Sequence, residues 1–308
     1  MSSQRPARGT VSKRLLVAVV VLLGLAFPIT LIAVFGNPDR DQGRLIKELR
    51  DPNASVRARA AFELGEDQHP TESAIWALTR LLTDGDDEPR SEAVAALISI
   101  GHRDSSKAKA VTRAMISVIS PPSVASSSRV QAARVLSQLG AKNHVARDAL
   151  LAALHARDDS LRATAAAGLG QIGLDDAATV QALERAVDDA IAGVRAAALE
   201  SLARLRPGDG TPKVAARLVR DTSVEVRLAA IYALAGAAQY EPPVDLAIDV
   251  ALQDSIPEIR RAAVIALAHL AANAVVARDK LELLSADSAA SVRQAALEVL
   301  RVPRTSRP

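Results

Sequence analysis

The chain has 308 residues, 49% of them hydrophobic but only 2% aromatic, so its apolar content is Ala, Leu, Val and Ile, a composition for packed helices rather than β-sandwiches. Cysteine is absent, which excludes disulfides, thiolate zinc sites and thiol catalysis. The net charge of +3 comes from the first 36 residues, where Arg5, Arg8, Lys13 and Arg14 stand without an acid; the rest sums to −1, lacks a clustered basic face, and is not expected to bind nucleic acid.

In chain order, residues 1–14 read as a short basic tail. Residues 15–35, LLVAVVVLLGLAFPITLIAVF, are 21 positions without a charge. At about 1.5 Å per residue such a helix spans a hydrocarbon core about 30 Å thick. The cations before it outweigh the balanced charges after it, so the positive-inside rule keeps the N-terminus cytoplasmic and places the remainder outside the cytoplasm. The alternative is a signal peptide cleaved near Ala26; the uncharged stretch from Phe27 to Phe35 favours a retained signal anchor. A linker at 36–38 then leads into a body over 39–302, and a disordered tail is expected at 303–308.

The body repeats one unit eight times. Arg57, Arg90, Arg129, Arg162, Arg195, Arg227, Arg260 and Arg293 follow at steps of 33, 39, 33, 33, 32, 33 and 33 residues. Three positions after each stands an alanine, from Ala60 to Ala296, and seven after each a leucine, from Leu64 to Leu300. Spacings of three and four put Ala and Leu on one helical face. Twelve and eight residues before the arginine, apolar pairs such as Leu45 with Leu49 and Leu78 with Leu82 mark a second amphipathic helix. Each unit therefore predicts a helical hairpin that cannot bury its stripe alone and must stack. The fold class is all-α: an α-solenoid of about eight hairpins preceded by one transmembrane helix.

The arginine column sits in the first turn of the second helix, where a cation opposes the helix dipole. Six residues before it stand Asp51, Asp84, Asp189, Asp221, Asp254 and Asp287, in six of eight repeats. These residues predict an Asp–Arg ladder that knits one repeat to the next through charge-assisted hydrogen bonds, a structural device rather than an anion-binding row.

The phrases DPNASVRARAAFELG (51–65), DTSVEVRLAAIYALAG (221–236), DSIPEIRRAAVIALAHLA (254–271) and ADSAASVRQAALEVL (286–300) resemble HEAT repeats, most closely the short HEAT-like class of the phycobilisome (bilin) lyases. The resemblance implies an α-solenoid whose second helices line an inner, concave face and hold other proteins. Di-iron hydroxylases of this fold carry repeated His-Glu pairs. Here His69, His102, His144, His155 and His269 are followed by Pro, Arg, Val, Ala and Leu, and no motif transfers the lyase activity.

Other candidate chemistry dissolves into the repeat. Gly168-Leu169-Gly170-Gln171-Ile172-Gly173 matches G-x-G-x-x-G but ends a second helix instead of opening one, so Gly170 or Gly173 is expected to terminate that helix. Asp84, Asp86, Asp87 and Glu88 lack calcium-loop spacing and are expected to cap a helix. No catalytic, cofactor or metal site is assigned. The long step includes Ser120 to Ser128, read as a flexible insertion.

One surface stands out. Five and nine residues after the arginine, side chains point away from the Ala/Leu stripe. Most repeats hold polar or small residues there, such as Arg134 and Gln138 or Glu200 and Arg204, whereas repeats 6 and 7 offer Tyr232, Ile265 and His269. These three are the candidate partner-binding residues. The expected function is a membrane-anchored extracytoplasmic scaffold that binds a membrane or envelope protein. The alternative is a lyase-like enzyme or small-ligand binder in the solenoid groove.

Overall fold

A computed structural model describes residues 38–139, 143–208, 210–236, 242–270 and 275–301. The segments assigned to the tail and the membrane helix, 1–14 and 15–35, lie outside the described residues. Among those residues no helix is long and apolar enough to cross a membrane.

Sixteen helices are described, and they fall into eight hairpins. In order they are α1 (Pro38–Glu48), α2 (Ala54–Glu66), α3 (Glu72–Leu81), α4 (Asp87–Arg103), α5 (Ser105–Ile119), α6 (Ser126–Gln138), α7 (His144–Ala153) and α8 (Asp159–Ile172). They continue as α9 (Ala177–Ala186), α10 (Ala192–Leu205), α11 (Thr211–Leu218), α12 (Val224–Ala235), α13 (Pro242–Leu252), α14 (Pro257–Leu270), α15 (Val275–Leu284) and α16 (Ala290–Arg301). Odd-numbered helices are the first of each pair and even-numbered ones the second, and each second helix packs on the second helix of the next repeat. The repeated region begins at Pro38, one residue earlier than the periodicity places it, because Pro is well suited to an opening helical turn.

Local chemistry sets the helix starts. Asn53, Thr71, Asp104, Asn143, Asp158 and Asp176 each accept a hydrogen bond from a backbone N–H of the helix they precede. Such caps satisfy donors that no helical carbonyl can reach. Packing sets the rest. All eight alanines of the second-helix column have 0% exposure, and seven of the eight leucines beside them are buried. Alanine leaves room for neighbouring second helices to approach, and leucine fills the layer behind them. In two places even alanine is too large. A Cβ at Gly170 would lie 2.7 Å from the Ser201 Cβ, and one at Gly65 would lie 2.8 Å from the Ala96 Cα. Gly170 is thus a packing residue inside α8, while Gly173, at φ +73°, terminates that helix.

Repeat 3 departs from the expected picture. Ser126, Ser127 and Ser128 belong to α6, and Ser128 is buried, so a flexible nine-residue insertion is not what lengthens this unit. The extra residues are helical: α4 and α5 run to 17 and 15 residues, against 13 and 10 for α2 and α3. Asp104 alone separates α4 from α5, capping the second as the first ends. As a result α5 packs along α4, and α4 and α6 lie side by side less extensively than the other adjacent second helices do.

A candidate docking face and the ladder behind it

Each ladder arginine is the fourth residue of its second helix and turns back across the hairpin. In repeat 4, Arg162 Nη1 donates to the carbonyls of Ala156 and Arg157 at 3.0 and 3.1 Å. Arg57, Arg195, Arg227, Arg260 and Arg293 make the same pair of bonds to carbonyls six and five residues earlier. Those carbonyls close the turn after the first helix, where a cation is favoured. This contact explains why the arginine persists in repeats without the aspartate, as in repeat 4.

The other edge of the guanidinium reaches forward. Arg57 forks onto Asp84, Arg162 onto Asp189, Arg195 onto Asp221 and Arg260 onto Asp287, with both bonds of each fork between 2.7 and 3.0 Å. In every case the aspartate belongs to the next repeat. Arg227 Nε lies 2.8 Å from Asp254 Oδ2 but is not aligned for a hydrogen bond, leaving a 3.4 Å contact from Nη2 to Oδ1. Each aspartate also accepts from the N–H two residues on, a local turn that aims the carboxylate. Asp51, in repeat 1, makes that turn with Asn53.

The paired arginines hold the carboxyls of Asp84, Asp189 and Asp287 below the ordinary carboxylate range. At Asp221 burial works to raise the value, and the bonds from Arg195 and the Ser223 N–H together outweigh it. Asp86 joins the first rung, 2.7 Å from Arg57 Nη2, so this acidic turn is engaged with a cation. Two rungs are missing. Six residues before Arg129 stands Ser123, and Arg90 bonds instead to Asp87 of its own helix and to the Asp84 carbonyl. Six before Arg162 stands Ala156; Arg129 donates to the Ile119 carbonyl, and Ser126 bonds Asp158 across that seam.

The face opposite the Ala/Leu stripe is the exposed side of the second helices. Tyr232 is 64% exposed, His269 is exposed and Ile265 is half-buried. Tyr232 and Ile265 hold equivalent positions on packed neighbours α12 and α14, and His269 lies one turn beyond Ile265. In repeats 3 to 5 the same face carries Arg134, Gln138, Gln171, Glu200 and Arg204, all exposed and of mixed charge.

Phe62 belongs to this set although the sequence reading passed over it. It stands five residues after Arg57, the position of Tyr232 in its own repeat, and is 56% exposed. Beside it Arg59 and Glu63 form a surface charge network with Arg44 and Glu48. On the other layer Trp76 and Leu246 share a position fourteen residues before their arginines, and both are exposed. Ion pairs cross that layer too: Arg113 with Glu72, Arg147 with Asp176, and Lys280 with Asp245 and Asp249. Large apolar side chains set in a mixed-charge surface suit contact with another folded surface.

The family model described as HEAT repeats matches residues 44–117 and 211–301, more than half of the chain. None of the curated proteins matches. Among solved structures, the chain is similar to a crystal structure of an engineered protein from the Northeast Structural Genomics Consortium, at 24% identity and TM-score 0.47, over 84% of this chain and 77% of that one. A second engineered protein from the same consortium matches at 21% identity and TM-score 0.33, over 84% of this chain and 95% of that one. With eight stacked hairpins and a family match over both ends of the repeated region, this chain belongs to the HEAT-repeat family.

Proposed function

We propose that this chain is a protein-binding scaffold that engages its partner through the exposed face of its second helices. The observation that carries the reading is the pairing of Phe62 and Tyr232. Two large aromatics occupy the same solvent-facing position of different repeats in a chain with six aromatic residues in all. Aromatic side chains are enriched where one folded surface meets another, and at this position each would be covered by a partner lying on the face. HEAT repeats commonly hold other proteins, which supports the same reading.

We also propose that residues 15–35 anchor the scaffold in a membrane, with the repeats on the extracytoplasmic side. What supports this is the uncharged run of 21 residues and the four cations ahead of it. Because only residues 36 and 37 separate that run from the first repeat, a partner in the membrane or envelope would lie within reach.

The test uses the intact chain in its native membrane. Mild crosslinking and affinity capture should recover one envelope or membrane protein in near-stoichiometric amount, and the yield should fall for Tyr232→Ser. Protease added to sealed cells or spheroplasts should remove a C-terminal tag. Protection of the tag sinks the topology, and capture that ignores Tyr232 sinks the docking face.

A further inference from the structure

The outward side of the first helices in repeats 1–3 carries an aromatic set among cations. On α3, Glu72, Trp76 and Arg80 are exposed at intervals of four residues and share one face. Arg50 and Arg80 line a groove between α1 and α3, and Glu72, Trp76 and Arg113 line another between α3 and α5. Lys47 holds the register of Arg80, ten residues before a ladder arginine, and Lys109 lies one turn before Arg113. Trp76 is 43% exposed, and all five cations are exposed beside it.

Charge on this side is not balanced. Of the five cations only Arg113 has an ion-pair partner among the described residues, Glu72 at 3.1 Å. The exposed acids among the described side chains of α1, α3 and α5 are Asp41 and Glu72. Both stand in first turns, where the helix dipole favours a negative charge. Later first helices differ. Lys213, Arg217 and Arg220 make α11 and its end cationic, but no large apolar side chain is exposed there. On α13 and α15, Leu246 and Leu283 are exposed among Asp249, Asp279 and Glu282 instead.

Repeats 1–3 are also the ones nearest the uncharged run 15–35. Gly36 and Asn37 add at most about 7 Å of extended chain, about the depth of one layer of lipid headgroups, before α1 begins at Pro38. Resting on the reading of that run as a membrane anchor, we propose that the first helices of repeats 1–3 lie on the same bilayer. Trp76 sits among the headgroups, and Lys47, Arg50, Arg80 and Lys109 face the phosphates of anionic phospholipids. An indole suits that depth because its ring is apolar while its N–H keeps a polar partner. Each exposed cation close to the surface adds attraction to a negatively charged leaflet. The exposed face of the second helices, on the other side of each hairpin, then points away from the membrane, where a partner reaches Phe62 and Tyr232.

Trp76 is the one tryptophan of the chain, so its fluorescence reports this face alone. The full-length protein is reconstituted into vesicles of phosphatidylcholine, or of equal parts phosphatidylcholine and phosphatidylglycerol, each with lipid brominated on the upper acyl chain. In the mixed vesicles the bromine should quench Trp76 about twofold, and in phosphatidylcholine alone clearly less. Arg50→Gln, Arg80→Gln and Lys109→Gln together should bring the mixed vesicles down to the phosphatidylcholine level at unchanged melting temperature. Trp76→Phe combined with Leu246→Trp moves the fluorophore to the same register of repeat 7, among acids, and should abolish the quenching. Equal quenching there would overturn the assignment to repeats 1–3. A protein that floats with the vesicles while Trp76 stays unquenched and open to acrylamide overturns the docking and leaves the anchor standing. A protein that fails to float overturns the anchor and the docking with it.

Discussion

Arg162 of repeat 4 holds Asp189 of repeat 5 by two parallel hydrogen bonds, Nε to Oδ2 at 2.8 Å and Nη2 to Oδ1 at 3.0 Å. Its third nitrogen is committed to the turn carbonyls of its own hairpin. One planar guanidinium therefore fixes the turn it comes from and the repeat that follows. Lysine cannot do both, because a single ammonium on a flexible stem matches neither the fork nor the carbonyl pair. Arg162→Ala should destabilise the protein by about 1.5–3 kcal/mol, since both side chains are largely buried and the bonds are charge-assisted. Arg162→Lys should recover only part of that loss. Asp189→Asn should cost less than Arg162→Ala, because its side chain can still accept from the Ile191 N–H. Thermal melts of the three variants test the order, and a lysine variant as stable as the original protein would remove the fork from the explanation.

The same rungs set a pH dependence. Asp84, Asp189, Asp221 and Asp287 have folded values below the ordinary carboxylate value, so their contribution is complete above that value. It is lost as pH falls through the lower folded values, because protonation then favours the unfolded chain. The arginines stay charged throughout. The melting temperature should accordingly be flat between about pH 6 and 8 and should fall below about pH 4. Asp189→Asn combined with Asp287→Asn should lower the plateau and make the acid fall shallower. An acid limb of unchanged steepness in the double variant would place the titrating groups elsewhere.

Much of this architecture can be read from residue spacing, and the parts that cannot have identifiable causes. The alanine column is legible because each of the eight second helices is closely approached by a neighbour, which leaves the same small residue eight times. The aspartates announce the rungs for the same reason. The carbonyl partners of Arg162 leave no trace, because any residue supplies a carbonyl; Ala156 and Arg157 serve as well as Asp254 and Ser255 do for Arg260. In repeat 3, serine and proline suggest a loop, yet serine is equally favoured where a helix begins, and there Ser126 to Ser128 open α6. Phe62 was open to detection by the rule that finds Tyr232. An aromatic beside a buried stripe is more readily read as core, and only its exposure separates the two cases.

Close approach makes one glycine costly to replace and leaves another free. In Gly170→Ala, the new methyl would sit 2.9 Å from the Cα of Ser201, backbone that cannot swing aside. Helix propensity gains about 1 kcal/mol from the change, but overpacking costs about 1–3 kcal/mol, so a net loss is expected. At Gly43 in α1 nothing lies within 4 Å of the added atom, so alanine should stabilise by about 0.5–1 kcal/mol. Chemical or thermal denaturation of the two single variants should therefore give shifts of opposite sign. Two shifts of the same sign would mean that α8 and α10 can separate without penalty.

The exposed aromatics can be separated from the core by stability alone. Phe62→Ser and Tyr232→Ser remove side chains that are 56% and 64% exposed, so each should change stability by no more than about 0.5 kcal/mol. Ile265→Ser reaches a half-buried position and should cost about 1–2 kcal/mol, which makes it a poor probe of docking. For the protein recovered by crosslinking, Tyr232→Ser should weaken binding tenfold or more, equivalent to about 1.4 kcal/mol. Phe62→Ser should act independently of it, because five repeats separate the two and no packed residue is shared. Additive losses at unchanged melting temperature would show one partner lying along the whole face. A loss at Tyr232 with none at Phe62 would confine the contact to the later repeats. A lowered melting temperature for Tyr232→Ser would return that side chain to the core and remove the docking face with it.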